Sequence, residues 1–245
     1  MFCLIILSCA SAGRFSIVGQ VSPYSLQTVT LQSGRHRSSY GFGFTAGGRY
    51  NINDNLTAGL DFNLDVFNYK EIENKYLVIG FMAKAGYSFD FSDKVFGEIE
   101  AGLGLDIRKV GERSQATFGL EYYFGGGYRF TDKISATAGL DFNLDVFNYK
   151  EIENKYLVVG FMAKAGYLFD FSDKVFGEIG AGLGLDIRKV GDRSQAAFGL
   201  EVYCGGGYRF TDKISATAGL DLEHGFQGKS TDFAARFRLG AVFAL

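Results

Sequence analysis

Tryptophan is absent, proline occurs once, and histidine only twice, at His36 and His224. A single proline excludes Pro-rich linkers. Neither histidine stands in a metal-binding or serine-hydrolase spacing, which leaves little ground for a metal centre or a catalytic triad. Of the three cysteines, Cys3 and Cys9 lie in the first apolar stretch and Cys204 stands alone, which excludes a disulfide framework. Past that stretch the chain never offers the ~18 consecutive apolar residues that a spanning helix needs. A net charge of −2 leaves no basic field to hold nucleic acid. Gly125-Gly126-Gly127 and Gly205-Gly206-Gly207 are not phosphate loops, because no helix pattern follows them. No cofactor is expected.

What the chain does contain is 34 Gly, 25 Phe and 14 Tyr in 245 residues, a balance that favours extended backbone. Residues 1–13 join an apolar core to small residues. Ala10-x-Ala12 has the shape of a signal-peptidase site, so this stretch is expected to be an export signal although it lacks the usual positive n-region. Residues 14–245 are expected to form one domain. Within it, residues 57–136 recur almost unchanged as 137–216, an offset of 80 positions. The differences are Ile79/Val159, Ser88/Leu168, Glu100/Gly180, Glu112/Asp192, Thr117/Ala197, Tyr122/Val202 and Phe124/Cys204. A recent duplication, an engineered one and an assembly error all predict such closeness.

A finer beat runs beneath the repeat. Asn53-Asp54-Asn55, Ser92-Asp93-Lys94, Thr131-Asp132-Lys133, Ser172-Asp173-Lys174 and Thr211-Asp212-Lys213 are tight turn signals spaced roughly 40 apart. Between them lie polar stretches expected as somewhat longer loops: Pro23 to Arg37, Asn68 to Lys75, Lys109 to Ser114, Asn148 to Lys155, Lys189 to Ser194 and Phe226 to Ser230. Short turns at one end and longer loops at the other describe an up-and-down meander.

Each segment between turn and loop alternates with period two. In 95–108, Val95, Gly97, Ile99, Ala101, Leu103, Leu105 and Ile107 share one face, and Phe96, Glu98, Glu100, Gly102, Gly104, Asp106 and Arg108 share the other. A helix would scatter both sets. Runs of ~13 residues rise ~43 Å, which at a ~45° tilt spans roughly 30 Å, the thickness of a bilayer core. The rule yields twelve strands, near 14–22, 39–52, 56–67, 76–90, 95–108, 115–130, 134–147, 156–170, 175–188, 195–210, 214–224 and 231–245. The expected fold is all-β: an up-and-down antiparallel transmembrane barrel. A soluble lipocalin-like barrel also alternates, and alternation alone does not tell inside from outside. Long strands, a glycine-rich polar face, and aromatics near both strand ends favour the membrane. Removing one 80-residue unit would leave eight strands.

At the C-terminus, Arg238-Leu239-Gly240-Ala241-Val242-Phe243-Ala244-Leu245 looks like the β-signal of outer-membrane proteins, with Arg238, Gly240, Phe243 and Leu245 at its marked positions. With the leader, the Gly/Tyr/Phe-rich hairpins and the Phe-[Ser/Thr]-Asp-Lys turns, the chain resembles the small bacterial outer-membrane β-barrel family that includes opacity proteins and OmpA-like membrane domains. The resemblance implies an outer-membrane location, contact with outer-membrane lipid, and recognition of the last strand by the barrel-insertion machinery. It names no activity.

If the polar face lines the interior, the candidate lining residues are Lys84, Glu98, Glu100, Asp106, Arg108, Glu121, Arg129, Lys164, Glu178, Asp186, Arg188, Glu201 and Arg209. Acids exceed bases on this face. A hydrated pore with surplus carboxylates would prefer small cations or polar solutes, whereas a closed lumen would use the same charges as a structural salt-bridge network. An enzyme is not expected. His36 falls in the expected first loop, and His224 at the end of a strand after Asp221 and Glu223, where a His-carboxylate pair is conceivable but loop polarity is the better explanation. An adhesin would need longer loops.

Overall fold

The structure, a computed structural model, describes residues 15–245 apart from 31–32, 34–35, 70–74, 111–112, 132–133, 149–154, 191–192 and 229. The expected export signal at 1–13 and the centre of the Thr131-Asp132-Lys133 turn lie outside these residues. Twelve strands run β1 Phe15–Thr30, β2 His36–Asn51, β3 Leu56–Tyr69, β4 Lys75–Asp90, β5 Val95–Val110, β6 Arg113–Thr131, β7 Ile134–Asn148, β8 Lys155–Asp170, β9 Val175–Val190, β10 Arg193–Thr211, β11 Ile214–Gln227 and β12 Ser230–Ala244. Each pairs antiparallel with its sequence neighbours, and β1 pairs with β12 to close a barrel. Closure leaves no unpaired edge, which is what a sheet exposed to lipid requires.

The turn signals act through side-chain oxygens. Ser92 Oγ accepts the backbone N–H groups of Lys94 and Val95 at 3.3 and 3.1 Å, and Ser172 repeats this with Lys174 and Val175 at 3.3 and 3.0 Å. Thr211 Oγ1 accepts from Lys213 and Ile214, both at 3.1 Å, and Asn53 Oδ1 from Asn55 and Leu56 at 2.9 and 2.7 Å. These are local side-chain turns that reverse the chain without help from the barrel.

The faces resolve what alternation left open. Leu60, Leu103, Leu140 and Leu183 are among the most exposed large apolar side chains, with Phe118 and Phe124 beside them, while Thr117, Glu121, Asp141, Glu201 and Asp221 are buried. The apolar set faces out and the polar set faces in, the reverse of a soluble barrel.

Two expectations are corrected. The first strand does not end at Ser22; it continues through Pro23 to Thr30, and the register slips between Val21 and Tyr24 against β12 and between Ser22 and Ser25 against β2. Pro23 sits in a bulge, the one strand context that spares a ladder bond it cannot donate. The bulge flips the parity, so Ser22 and Ser25 are both buried while Tyr24 faces out. That flip is what breaks the alternation in the sequence at Pro23. Two of the polar stretches expected as longer loops, Lys109 to Ser114 and Lys189 to Ser194, are largely strand as well: β5 runs to Val110 and β6 starts at Arg113, and β9 runs to Val190 with β10 starting at Arg193. Polar residues extend the ladder there, because strand pairing above an apolar band has no need of apolar side chains.

Candidate functional site

The inward side chains build a belt of charge around the middle of the lumen. Lys84 on β4 lies 3.3 Å from Asp61 on β3, 3.5 Å from Glu100 on β5 and 3.7 Å from Glu121 on β6. Arg49 on β2 reaches Glu100 at 3.5 Å. In the repeated segment Lys164 on β8 stands 2.9 Å from Asp141 and 3.8 Å from Glu201. Arg238 on β12 completes the belt on Asp221 of β11 at 2.7 Å. The two lysine side chains are only 9% and 8% exposed, so their ammonium groups are largely shielded from solvent by the carboxylates around them.

Toward the loop end the wall is wetter, with Arg108 on Asp106 at 3.4 Å and Arg188 on Asp186 at 3.2 Å. Toward the turn end Arg129 bonds Asp90 at 3.0 Å and stacks 4.5 Å above the inward Phe96 ring; Arg209 does the same with Asp170 at 2.9 Å and Phe176 at 4.6 Å. Guanidinium over an aromatic face is favourable in itself. Here it also anchors the ring against the wall.

Small residues across the ladder make this arrangement possible. The Phe96 and Phe176 rings lie where a Cβ on Gly127 or Gly207 would be, and any Cβ on Gly127 would also stand 2.6 Å from the Ala136 carbonyl oxygen. That close approach accounts for the third glycine of each Gly-Gly-Gly run. The change of Glu100 to Gly180 redirects a tyrosine. Tyr123, a hydrogen-bond partner of Glu98, leans over Gly125 and Gly139, whereas buried Tyr203 leans over Gly180 and Gly166. One wall of the lumen thus carries an extra carboxylate, and on the other the Tyr203 phenol lies where that carboxylate would stand.

Comparison with known proteins fits this geometry. A family model described as outer membrane protein beta-barrel domain matches residues 3–140, more than half of the chain. The chain belongs to the outer membrane protein beta-barrel domain family. No curated protein matches it in sequence. Among solved structures, an outer-membrane channel from Pseudomonas putida F1 superposes with a TM-score of 0.66 at 12% identity, over 94% of this chain and 95% of that one. The translocator domain of the autotransporter NalP from Neisseria meningitidis gives 0.62 at 15%, over 96% and 89%. The transport unit of AIDA-I from Escherichia coli gives 0.62 at 11%, over 100% and 93%. At such identities the likeness is one of fold.

In this outer-membrane barrel all thirteen candidate lining residues lie on inward strand positions. Lys84, Glu100 and Glu121 meet in one cluster, Lys164 and Glu201 in a second, Asp106 with Arg108 and Asp186 with Arg188 in the loop-end pairs, and Arg129 and Arg209 in the turn-end stacks. Among the described residues, none of the ion pairs involves Glu98 or Glu178, although Arg49 stands in the field of the first and Arg238 in that of the second. Phe96, Phe176, Tyr123 and Tyr203 were not singled out by sequence. The available signal was that each falls on the polar parity, where an aromatic needs a glycine beside it.

The C-terminal residues divide by face. Arg238 and Gly240 point inward, a Cβ on Gly240 would meet Thr217 Oγ1 at 2.6 Å, and Phe243 and Leu245 are exposed outside. Leu245 donates its backbone N–H to Phe15 at 2.7 Å, at the seam. Among the described residues the histidines join no carboxylate. His36 is the first residue of β2 rather than part of a loop, 3.0 Å from Thr30 Oγ1. His224 stacks 4.3 Å from Phe226 on the outer parity, opposite to Asp221 and Glu223, and its strand continues past it to Gln227. Among the described residues no group of three acids, histidines or cysteines is placed to hold a metal.

Proposed function

We propose that this outer-membrane barrel is a narrow pore that prefers small cations. The observation that carries this reading is the charge balance of the middle lumen. Asp61, Glu98, Glu100, Glu121, Asp141, Glu178, Glu201 and Asp221 face inward against Arg49, Lys84, Lys164, Arg236 and Arg238, and one lysine is shared by three carboxylates. Surplus inward carboxylate attracts mobile cations and repels anions. Twelve strands enclose more room than the eight whose interiors side chains just fill. In this reading the five tight turns face the periplasm, the other ends face outward, the apolar face contacts lipid, and the last strand is the part the insertion machinery recognises.

The test is the double substitution of Glu98 and Glu178 by Gln, the two of these eight carboxylates that join no ion pair among the described residues. Cation preference should fall while the barrel stays folded, since removing like charges relieves repulsion. Unchanged selectivity in a conducting variant contradicts the reading. A second reading, a structural barrel closed by its own side chains, is favoured by the near-complete burial of Lys84 and Lys164. It predicts no conductance at all.

A further inference from the structure

The outer face carries two grooves, of about 550 and 450 Å³. Leu60, Phe62, Phe81, Leu103, Leu105 and Phe118 wall the first, with Ala83 at its floor. The same positions 80 residues on, from Leu140 to Phe198 around Ala163, wall the second. The room comes from one small residue in each. Ala83 pairs directly with Leu60 on one side and Leu103 on the other, and Ala163 with Leu140 and Leu183, so a single methyl stands between two long side chains. Just toward the loop end the Phe62 and Phe81 rings pack at 5.2 Å, and Phe142 and Phe161 repeat this at 5.2 Å. The difference in size is equally local. Beyond Leu60 and Phe62 the first groove meets Gly48 and Ala46 of β2, whereas beyond Leu140 and Phe142 the second meets Phe124 and Tyr122 of β6. At the third such leucine, Leu220 of β11, the partner across the ladder is Phe237. A ring stands there where the other two places leave room.

We propose that each groove seats one acyl chain of a membrane phospholipid, so that the barrel carries two lipids at fixed places. Both grooves are depressions in the apolar face that lies in hydrocarbon, which makes their occupant apolar. At about 30 Å³ for a group the size of a water or a methylene, they hold roughly 15 to 18 such groups, which is one acyl chain of ordinary length. An empty groove would leave its leucine and phenylalanine walls without partner atoms, and close packing rather than transfer out of water is what holds apolar groups together inside a bilayer. A second copy of the chain fits the pattern less well. The grooves repeat on one barrel four of twelve strands apart, so self-contact through both would string barrels into an open chain instead of closing a pair. A convex barrel wall also leaves a concave groove unfilled, whereas a flexible chain follows it.

Native mass spectrometry of the detergent-solubilised barrel, titrated with palmitoyl-oleoyl phosphatidylethanolamine, tests the two seats. Wild type should retain two lipids per barrel, Ala83→Phe one, Ala163→Phe one, and the double variant none. Phenylalanine is what the barrel already carries at the third place, as Phe237. Heat-modifiable migration on a gel reports whether the variants fold, and Ala83→Leu with Ala163→Leu fills the same floors and should give the same losses if a phenylalanine does not fold. Equal lipid counts in wild type and variants would reduce the grooves to ordinary contact with the bilayer, and barrel dimers in place of lipid adducts would make them a seat for a second copy. Either result, or no lipid retained by wild type, would overturn the assignment. The lipid count is read whether or not the lumen conducts, so this inference and the pore reading stand or fall separately.

Discussion

Lys84→Met is the most informative single change in the belt. Methionine keeps much of the stem and removes the ammonium that sits 3.3, 3.5 and 3.7 Å from Asp61, Glu100 and Glu121. Three carboxylates from three other strands would then face one another with their shared cation gone. At 3.5 Å and an effective dielectric near 20, each pair is worth about 5 kcal/mol in Coulomb terms. Most of that offsets the desolvation of the partners, and breaking a buried pair from one side costs about 3–5 kcal/mol net. Lys164→Met provides the internal control. Its surroundings are almost the same sequence, but Gly180 stands where Glu100 does, so one carboxylate fewer is stranded and the cost should be smaller. Urea unfolding of the barrel in lipid vesicles gives both values from the shift in midpoint. Adding Glu100→Gln to Lys84→Met should recover part of the loss. Wild-type stability in Lys84→Met, or equal costs for the two lysines, would refute the idea that the belt is held by shared cations.

Two further outcomes follow. Leu103→Arg, at an outward position 59% exposed, should cost roughly 2–4 kcal/mol and impair assembly; Gly199→Ser, at an inward position with open space around its missing Cβ, should be mild, and equal tolerance would place the outer face outside lipid. In a Cys204→Ser background, a cysteine at Ser33 should react with an impermeant maleimide on intact cells and one at Asp93 should not; the opposite pattern inverts the topology.

The fold was legible because strand pairing in a barrel is local. Alternation in 95–108 defined β5, its inward set and its neighbours without any long-range guess, and the turn signals worked because Ser92 and Ser172 close their turns with their own hydroxyls. What escaped was what depends on a partner. Pro23 stops an alternation count, yet β2 and β12 carry the strand through a bulge on either side of it. Polarity at Lys109 and Ser114 suggested a loop, but the two residues pair with each other. Phe96 lies among charges because Gly127 across the ladder leaves it a seat and Arg129 covers it. The sharing of Lys84 among four strands could not be read from any one of them, since it rests on which inward positions the closed ladder brings level.

The direct test of a cation-preferring lumen is the reversal potential of the wild-type barrel in a planar bilayer under a potassium chloride gradient. The account predicts discrete conductance with a reversal potential displaced toward that of potassium, and a displacement that shrinks as ionic strength screens the carboxylates. A reversal potential on the chloride side, or no conductance above background, would contradict it.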